Sequence, residues 1–478
     1  MIMPKTARRL LPGLFLSLVM AGVCGRPALL RARPALRPAP GLEAQIDRIA
    51  SQVLAVTGVP SASLAVVRDG RIVYAHAYGW ARLTPRMAAT PAMRYSIGSI
   101  SKQFTAAAVL LLQQQGKLSI DDPVGKYVPG LTDGRHVTIR EILSHTSGYQ
   151  DFWPQDYVPP LMLKPIAPQG ILDRWARQPL DFAPGTKWQY SNTNFVIAGL
   201  IVQRVAGLPL FQFLQQHVFT PLHMTSVTNS DQHPLPARDP LGYFRYALGP
   251  VRPAPIEGAG WMFAAGELAM TPTDLARWDI SMIHQTVLTP ASYHEMETDV
   301  RLKDGVGTHY GLGLEVRSLN GHRELEHSGE VSGFTAENIV LPDDGMAVAV
   351  LTNQDAASAA SQIGRKVVNA LLRQSSQYDQ RQNALIRKVF DGLRQGKIDR
   401  ALFTADANAY FTPEALHDYA ASLAPLGRVE SFTPTVVAGR GGMTYRGFTV
   451  KFKSRTVALS IYEMPGGRFE QFLVEARN

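Results

Sequence analysis

Ser99 and Lys102 bracket the tetrad Ser99-Ile100-Ser101-Lys102, which opens a run of strong helix formers from Phe104 to Gln115. One helical turn sets both side chains on the same face, where an amine reaches the serine hydroxyl. An amine held out of water has a depressed pKa and can accept the hydroxyl proton, leaving a nucleophile. The helix start also offers free N–H groups and a positive dipole end, which favour a developing oxyanion. Alone, a Ser-x-x-Lys string arises by chance about once or twice in a chain this long. Two later strings, Tyr190-Ser191-Asn192 and His327-Ser328-Gly329, give it weight.

Tyr190 closes a segment with a tight turn at Pro184-Gly185. A phenol beside a lysine ammonium is expected to have a lowered pKa and to shuttle a proton between nucleophile and leaving group. Asn192 can present its amide to a substrate carbonyl. The third string falls on an expected strand from Glu324 to Gly329, where Gly329 permits close approach of another backbone. The N–H of Glu330 then becomes a second oxyanion donor beside that of Ser99, and His327 a cation or hydrogen-bond donor facing the substrate. Taken singly, each string has a plainer reading: a surface Ser and Lys, an Asn turn, a satisfied structural histidine. His145, between Ser144 and Ser147, reads as part of a structural loop.

The elements that must position these residues follow from periodicity. Phe104, Ala108, Leu111, Leu112 and Gln115 share helical spacing, so the helix carrying Lys102 should be largely buried and end at Gly116. Ala62–Val67 and Arg71–Tyr78 flank Arg68-Asp69-Gly70 as a hairpin; residues 335–340 and 346–352 form another. Thr271-Pro272-Thr273-Asp274 is a helix start with an N-cap and an N1 proline. Ala356 to Arg373 reads as a closing helix and residues 374–379 as a linker. Beyond it the pattern restarts with helices at 382–395 and 415–423 and four strands from 432 to 474. The fold class expected is α+β, in the broad sense α/β: an antiparallel sheet flanked by helices with a helical middle, then a small C-terminal α+β domain.

The three strings resemble those of the serine β-lactamase and penicillin-binding-protein superfamily, in its class C β-lactamase-like branch. Ser99 and Lys102 match its S-x-x-K, Tyr190 and Asn192 its Y-x-N, and His327, Ser328 and Gly329 the H-x-G form of its third motif. Flanking strings at 140–148, 310–314 and 350–353 are also similar, and the likeness runs from about residue 41 to 373. It implies a β-lactamase/transpeptidase-like domain that forms an acyl-enzyme on Ser99 and passes the acyl group to water. Where the β-lactamases usually carry Lys, this chain has His327, a form common among related esterases and D-amino-acid peptidases. The implied substrate is a small-molecule or peptide ester or amide, cell-wall related in some branches, and the implied activity is that of an esterase, a peptidase or a weak β-lactamase. Two other classes stay open: a penicillin-binding sensor with little turnover, and a scaffold with a vestigial site.

Composition agrees with a folded enzyme: 45% hydrophobic and 18% charged residues. Seven of the positive charges precede residue 41, where no acid occurs, so the net charge of +9 falls to +2 from there on. Nothing in that balance suggests a nucleic-acid partner. The sole cysteine, Cys24, leaves the folded domains without disulfide or thiol chemistry. No phosphate loop, dinucleotide fingerprint, G-x-S-x-G elbow or complete H-E-x-x-H is present, so neither cofactor nor metal is expected. Lys5, Arg8 and Arg9 precede the apolar stretch Leu10–Val23, which reads as an export signal over 1–25 followed by an Arg/Pro/Ala-rich linker over 26–40. The hydrolase domain is expected at 41–375 and the accessory domain at 380–478. The protein should be periplasmic or secreted, touching a membrane only through that signal or an anchor.

Overall fold

The structure, a computed structural model, describes residues 41–476 apart from Asn320, Gly441, Gly442 and Pro465. The export signal and the linker at 26–40 lie outside the described residues. The chain enters through helix α1 (Leu42–Thr57) and builds a seven-stranded antiparallel sheet from β1 (Ser61–Arg68), β2 (Arg71–Leu83), β3 (Arg86–Ala88), β4 (Glu315–Leu319), β5 (His322–Val331), β6 (Phe334–Leu341) and β7 (Met346–Thr352). Their order is β3-β2-β1-β7-β6-β5-β4, so the first and last strands in sequence meet at the centre, with Ala65 opposite Ala349.

Alternation along β1 assigns its two faces. Ala62, Leu64 and Val66 join one core, shared with Leu42, Ile46, Ala50 and Val53 of α1. Ala65 and Val67 point to the other core, as a period of two requires. That second core holds helices α2 (Ser101–Gln114), α3 (Asn192–Ala206) and α4 (Pro272–His284), with the helical middle of the chain. Helix α2 is buried from Ser101 through Leu110, as its apolar composition predicts, and Gly116 after it takes the left-handed φ of 66°. Thr271 caps α4, its hydroxyl accepting from Asp274 N at 3.2 Å.

The C-terminal part differs from expectation at its entrance. Residues 374–379 are helical: a single helix, α5 (Ala359–Leu393), runs through the segment read as a linker. Its first half gives Ile363, Val367 and Leu371 to the core beneath the main sheet; its second gives Ile386, Val389, Phe390 and Leu393 to a separate core. Polar residues at the crossing are compatible with helix because they find polar partners: Tyr378 donates to Glu463 and Asp379 pairs with Arg446 at 2.9 Å. The separate core is closed by a four-stranded antiparallel sheet, β8 (Val429–Arg440), β9 (Met443–Phe452), β10 (Thr456–Glu463) and β11 (Phe469–Ala476), and by α6 (Pro413–Leu423).

Candidate active site

Ser99 lies in a 3₁₀ turn, Gly98–Ile100, that leads directly into α2. One turn on, Lys102 is 0% exposed, and its Nζ donates to Ser99 Oγ, Asn192 Oδ1 and the Ala265 carbonyl, each at 2.8 Å. All three partners are uncharged. Burial therefore lowers the ammonium to a pKa of about 7, opposed only by the more distant charge of Asp151. The sequence places Lys102 here by local geometry, and Gly313 lets the tertiary fold close on it: an added Cβ there would stand 2.7 Å from the Lys102 carbonyl.

Tyr190 precedes α3, and Asn192 is that helix's first residue. The expected turn at Pro184-Gly185 is present, with Thr186 N donating to Ala183 O at 3.1 Å and Gly185 at φ 73°. The expected lowering of the Tyr190 pKa is not. Burial pushes the phenol upward, against the effect of a hydrogen bond with Ser99. Lys102 Nζ lies over the face of the ring, 5.0 Å from its centroid, but an amine that titrates near 7 carries no positive charge where a phenol ionises, so it does not offset the burial. Asn192 uses its carbonyl on Lys102 and donates Nδ2 to Asp151 Oδ2 at 3.2 Å; Asp151 Oδ1 also accepts from Asn192 N at 2.9 Å.

The third string lies on β5, with His327 opposite Asn338 and Ser328 opposite Glu337. Gly329 is required: an added Cβ would overlap the Ile97 carbonyl oxygen and stand 3.3 Å from Ser99 N. Across the same contact, an added Cβ on Gly98 would stand 2.7 Å from Glu330 N. The backbone nitrogens of Ser99 and Glu330 thus flank one small space. His327 corrects the expectation of a cation facing the substrate. It is 3% exposed, its Nδ1 pairs with the Ser328 carbonyl at 2.5 Å and its Nε2 with Tyr310 Oη at 2.9 Å. Burial, reinforced by the nearby lysine, lowers its pKa to about 3 and keeps it neutral. Ser328 is exposed on the strand.

The structure brings in residues that the sequence reading left out. His145, read as loop, packs its ring on Tyr190 with centroids 4.2 Å apart. Tyr310 partners His327, and Asp151 anchors Asn192. The family-like strings at 140–148 and 310–314 hold His145 and Tyr310 without showing what they touch, and His145 and Asp151 lie 45 and 39 residues from Tyr190 in sequence. A cleft of about 300 Å³ beside Tyr190 is lined by Gln150, Asp151, Trp153, Asp181 and Gln189 among others. Of the aromatics in the neighbouring segments, Tyr149, Phe152, Trp261 and Phe263 are core, while Trp153 and Trp188 are exposed. Among the described residues no group of three or more His, Cys, Asp or Glu could hold a metal ion.

A nucleophile, a buried amine, a phenol and paired N–H groups on a sheet edge define a serine acyl-transfer site. The chain belongs to the Beta-lactamase family, whose profile matches residues 46–371, and is a serine hydrolase of that family. Among curated relatives, the D-aminopeptidase of Brucella canis is 28% identical over 317 residues, covering 66% of this chain and 60% of that protein. Among solved structures, the D-stereospecific amidohydrolase from Streptomyces sp. is 30% identical with a TM-score of 0.60, covering 68% of this chain and 97% of that one. The octameric penicillin-binding protein homologue from Pyrococcus abyssi, at 23% identity and TM-score 0.61, shares the fold over 91% of this chain and 96% of its own.

Proposed function

We propose that this protein is an exported hydrolase of small amides or esters that carry a free amine next to the scissile carbonyl, with the D configuration favoured. The observation that carries the reading is the cleft beside Tyr190. It is lined by two carboxylates, Asp151 and Asp181, and by no lysine or arginine. Burial raises Asp151 to about 6, which still leaves it mostly ionised at neutral pH. Nothing in that lining attracts an anionic acyl group, and His327 nearby is neutral, whereas an ammonium is drawn by two negative charges. The names of two relatives, a D-aminopeptidase and a D-stereospecific amidohydrolase, support the amide and its stereochemistry. The basic and apolar residues before residue 25 support export.

In this reading Ser99 Oγ attacks the carbonyl carbon while its proton passes to the free amine of Lys102. The oxyanion is held by the N–H groups of Ser99 and Glu330. Tyr190 Oη gives its proton to the departing nitrogen and recovers one from Lys102, and the C–N bond breaks. Water then repeats the sequence on the acyl-Ser99 ester, releasing the acid. Asn192 holds the amine in place, and His327 holds Tyr310 and the β5 edge.

The test compares kcat/KM on D-phenylalanine amide and its N-acetyl derivative, in the wild type and in Asp151→Asn. The free amine should be preferred by at least about tenfold, and the variant should lose most of that preference. Equal rates on both amides would refute the amine reading. Absence of any Ser99-dependent hydrolysis of amides and esters would refute the broader one.

A further inference from the structure

His145 is the group near the site that the chemistry above does not use. It holds Tyr190 at three points. Its carbonyl accepts from Gln189 N at 3.0 Å, on one side of Tyr190. Its Nδ1 accepts from Ser191 N at 3.1 Å, on the other. Its ring lies against the Tyr190 ring at 4.2 Å and 32°. The imidazole is itself fixed: it is 0% exposed, packed on Phe195 at 5.3 Å and edge-on to Tyr310 at 4.9 Å. Asn194 Nδ2 stands 3.4 Å from the same Nδ1, and Asn194 Oδ1 in turn accepts from Ser147 Oγ at 2.6 Å. Because Nδ1 accepts a backbone N–H, the ring is neutral with its proton on Nε2. Burial and the neighbouring Lys102 hold its pKa well below the ordinary histidine value, consistent with that tautomer.

The backbone adds a second sign. His145 has φ 60°, a left-handed conformation that is strained for a non-glycine residue. Glycine would adopt it freely, but would offer neither an acceptor for Ser191 N nor a face for the Tyr190 ring. The strained conformation turns carbonyl, imidazole nitrogen and ring face toward one short segment.

We propose that His145 is the positioning residue of the proton-transfer tyrosine, clamping the backbone on both sides of Tyr190 and its ring so that Tyr190 Oη stays beside Ser99. The inference rests on the hydrolase reading above, in which Tyr190 Oη moves the proton. A displacement of that oxygen by about 1 Å is enough to lower the rate about a hundredfold.

The experiment is a double-mutant cycle on a small activated ester. Wild-type protein is first checked by intact mass for an acyl-enzyme; its absence counts against the hydrolase reading, separately from the clamp. His145→Asn keeps an acceptor oxygen near the position of Nδ1 and tolerates the left-handed φ, but removes the ring. His145→Phe keeps the ring face and leaves Ser191 N unpaired. With Tyr190 present, each should lower kcat by about 10- to 100-fold at unchanged KM. In a Tyr190→Phe background each should lower it less than about twofold, because the oxygen being positioned is gone. Equal losses in both backgrounds, or no loss in the first, would overturn the proposal. If one variant does not fold, the other carries the same comparison.

Discussion

Lys102 offers the most direct test of the site's electrostatics. An ordinary lysine titrates near 10.5, whereas Lys102 titrates at about 7 because it is buried among uncharged acceptors. At about 1.4 kcal/mol per pH unit, that difference amounts to about 5 kcal/mol by which folding disfavours the protonated amine. Because the folded pKa is depressed, the penalty is fully present below pH 7. Between pH 7 and 10.5 the unfolded chain binds the proton and the folded one does not, so stability rises with pH and the penalty is gone above the unfolded value. The perturbation is Lys102→Met, which removes the titrating group and keeps most of the volume. Losing three hydrogen bonds changes the variant's stability by an amount independent of pH, so the informative quantity is the difference between the two proteins as pH changes. Urea unfolding followed by circular dichroism at pH 7 and 9.5 should show wild-type stability gaining about 3 kcal/mol on the variant over that interval. In parallel, wild-type kcat/KM should fall about tenfold per pH unit below 7 and level off above it. Stability curves that stay parallel would mean that Lys102 titrates normally, and the argument from burial would fail.

Two further predictions concern the framework. Gly329→Ala should lower the thermal midpoint and lower kcat by about 10²–10³, because the new methyl group displaces β5 from Ile97 and spoils the paired N–H groups; a kcat within threefold of wild type would exclude that geometry. A chain ending at Ser375 should still fold and hydrolyse a small activated ester within a few-fold of the full-length rate, since the last core draws only on residues from Leu385 onward. A soluble, folded but inactive product would show that the C-terminal part completes the site.

Much of this architecture can be read in the sequence where the determining interactions are local. The Ser99–Lys102 pairing depends on one helical turn, the hairpin at Asp69-Gly70 on two left-handed residues, and the start of α4 on Thr271 and Pro272. Burial of β1 on both faces follows from its apolar composition. What could not be read depends on contacts distant in sequence or on the sum of several effects. His145 and Asp151 reach the site only through the tertiary fold; the family-like string at 140–148 holds His145 but does not show what its side chain touches. The Tyr190 pKa moves opposite to the expectation because burial is the largest effect on it, and Lys102, itself neutral above about pH 7, supplies no ammonium where a phenol ionises. Residues 374–379 look like a linker by polarity, yet helix continues because apolar residues at 371 and 386 are each anchored in a core on either side.

The replacement of lysine by His327 in the third motif changes more than one charge. A second ammonium on β5 would stand near Lys102 and draw an anionic acyl group toward the sheet edge. A neutral imidazole, tied to Tyr310 on one nitrogen and to the Ser328 carbonyl on the other, supplies rigidity instead. The low pKa of Lys102 then arises from burial, not from a competing cation, so the base can be poised near neutral pH without a positive field over the cleft. With that field absent, Asp151 and Asp181 set the sign of the potential in the cleft beside Tyr190. The same substitution that argues against anionic β-lactams as substrates therefore permits the acidic cleft on which the proposed amine preference rests.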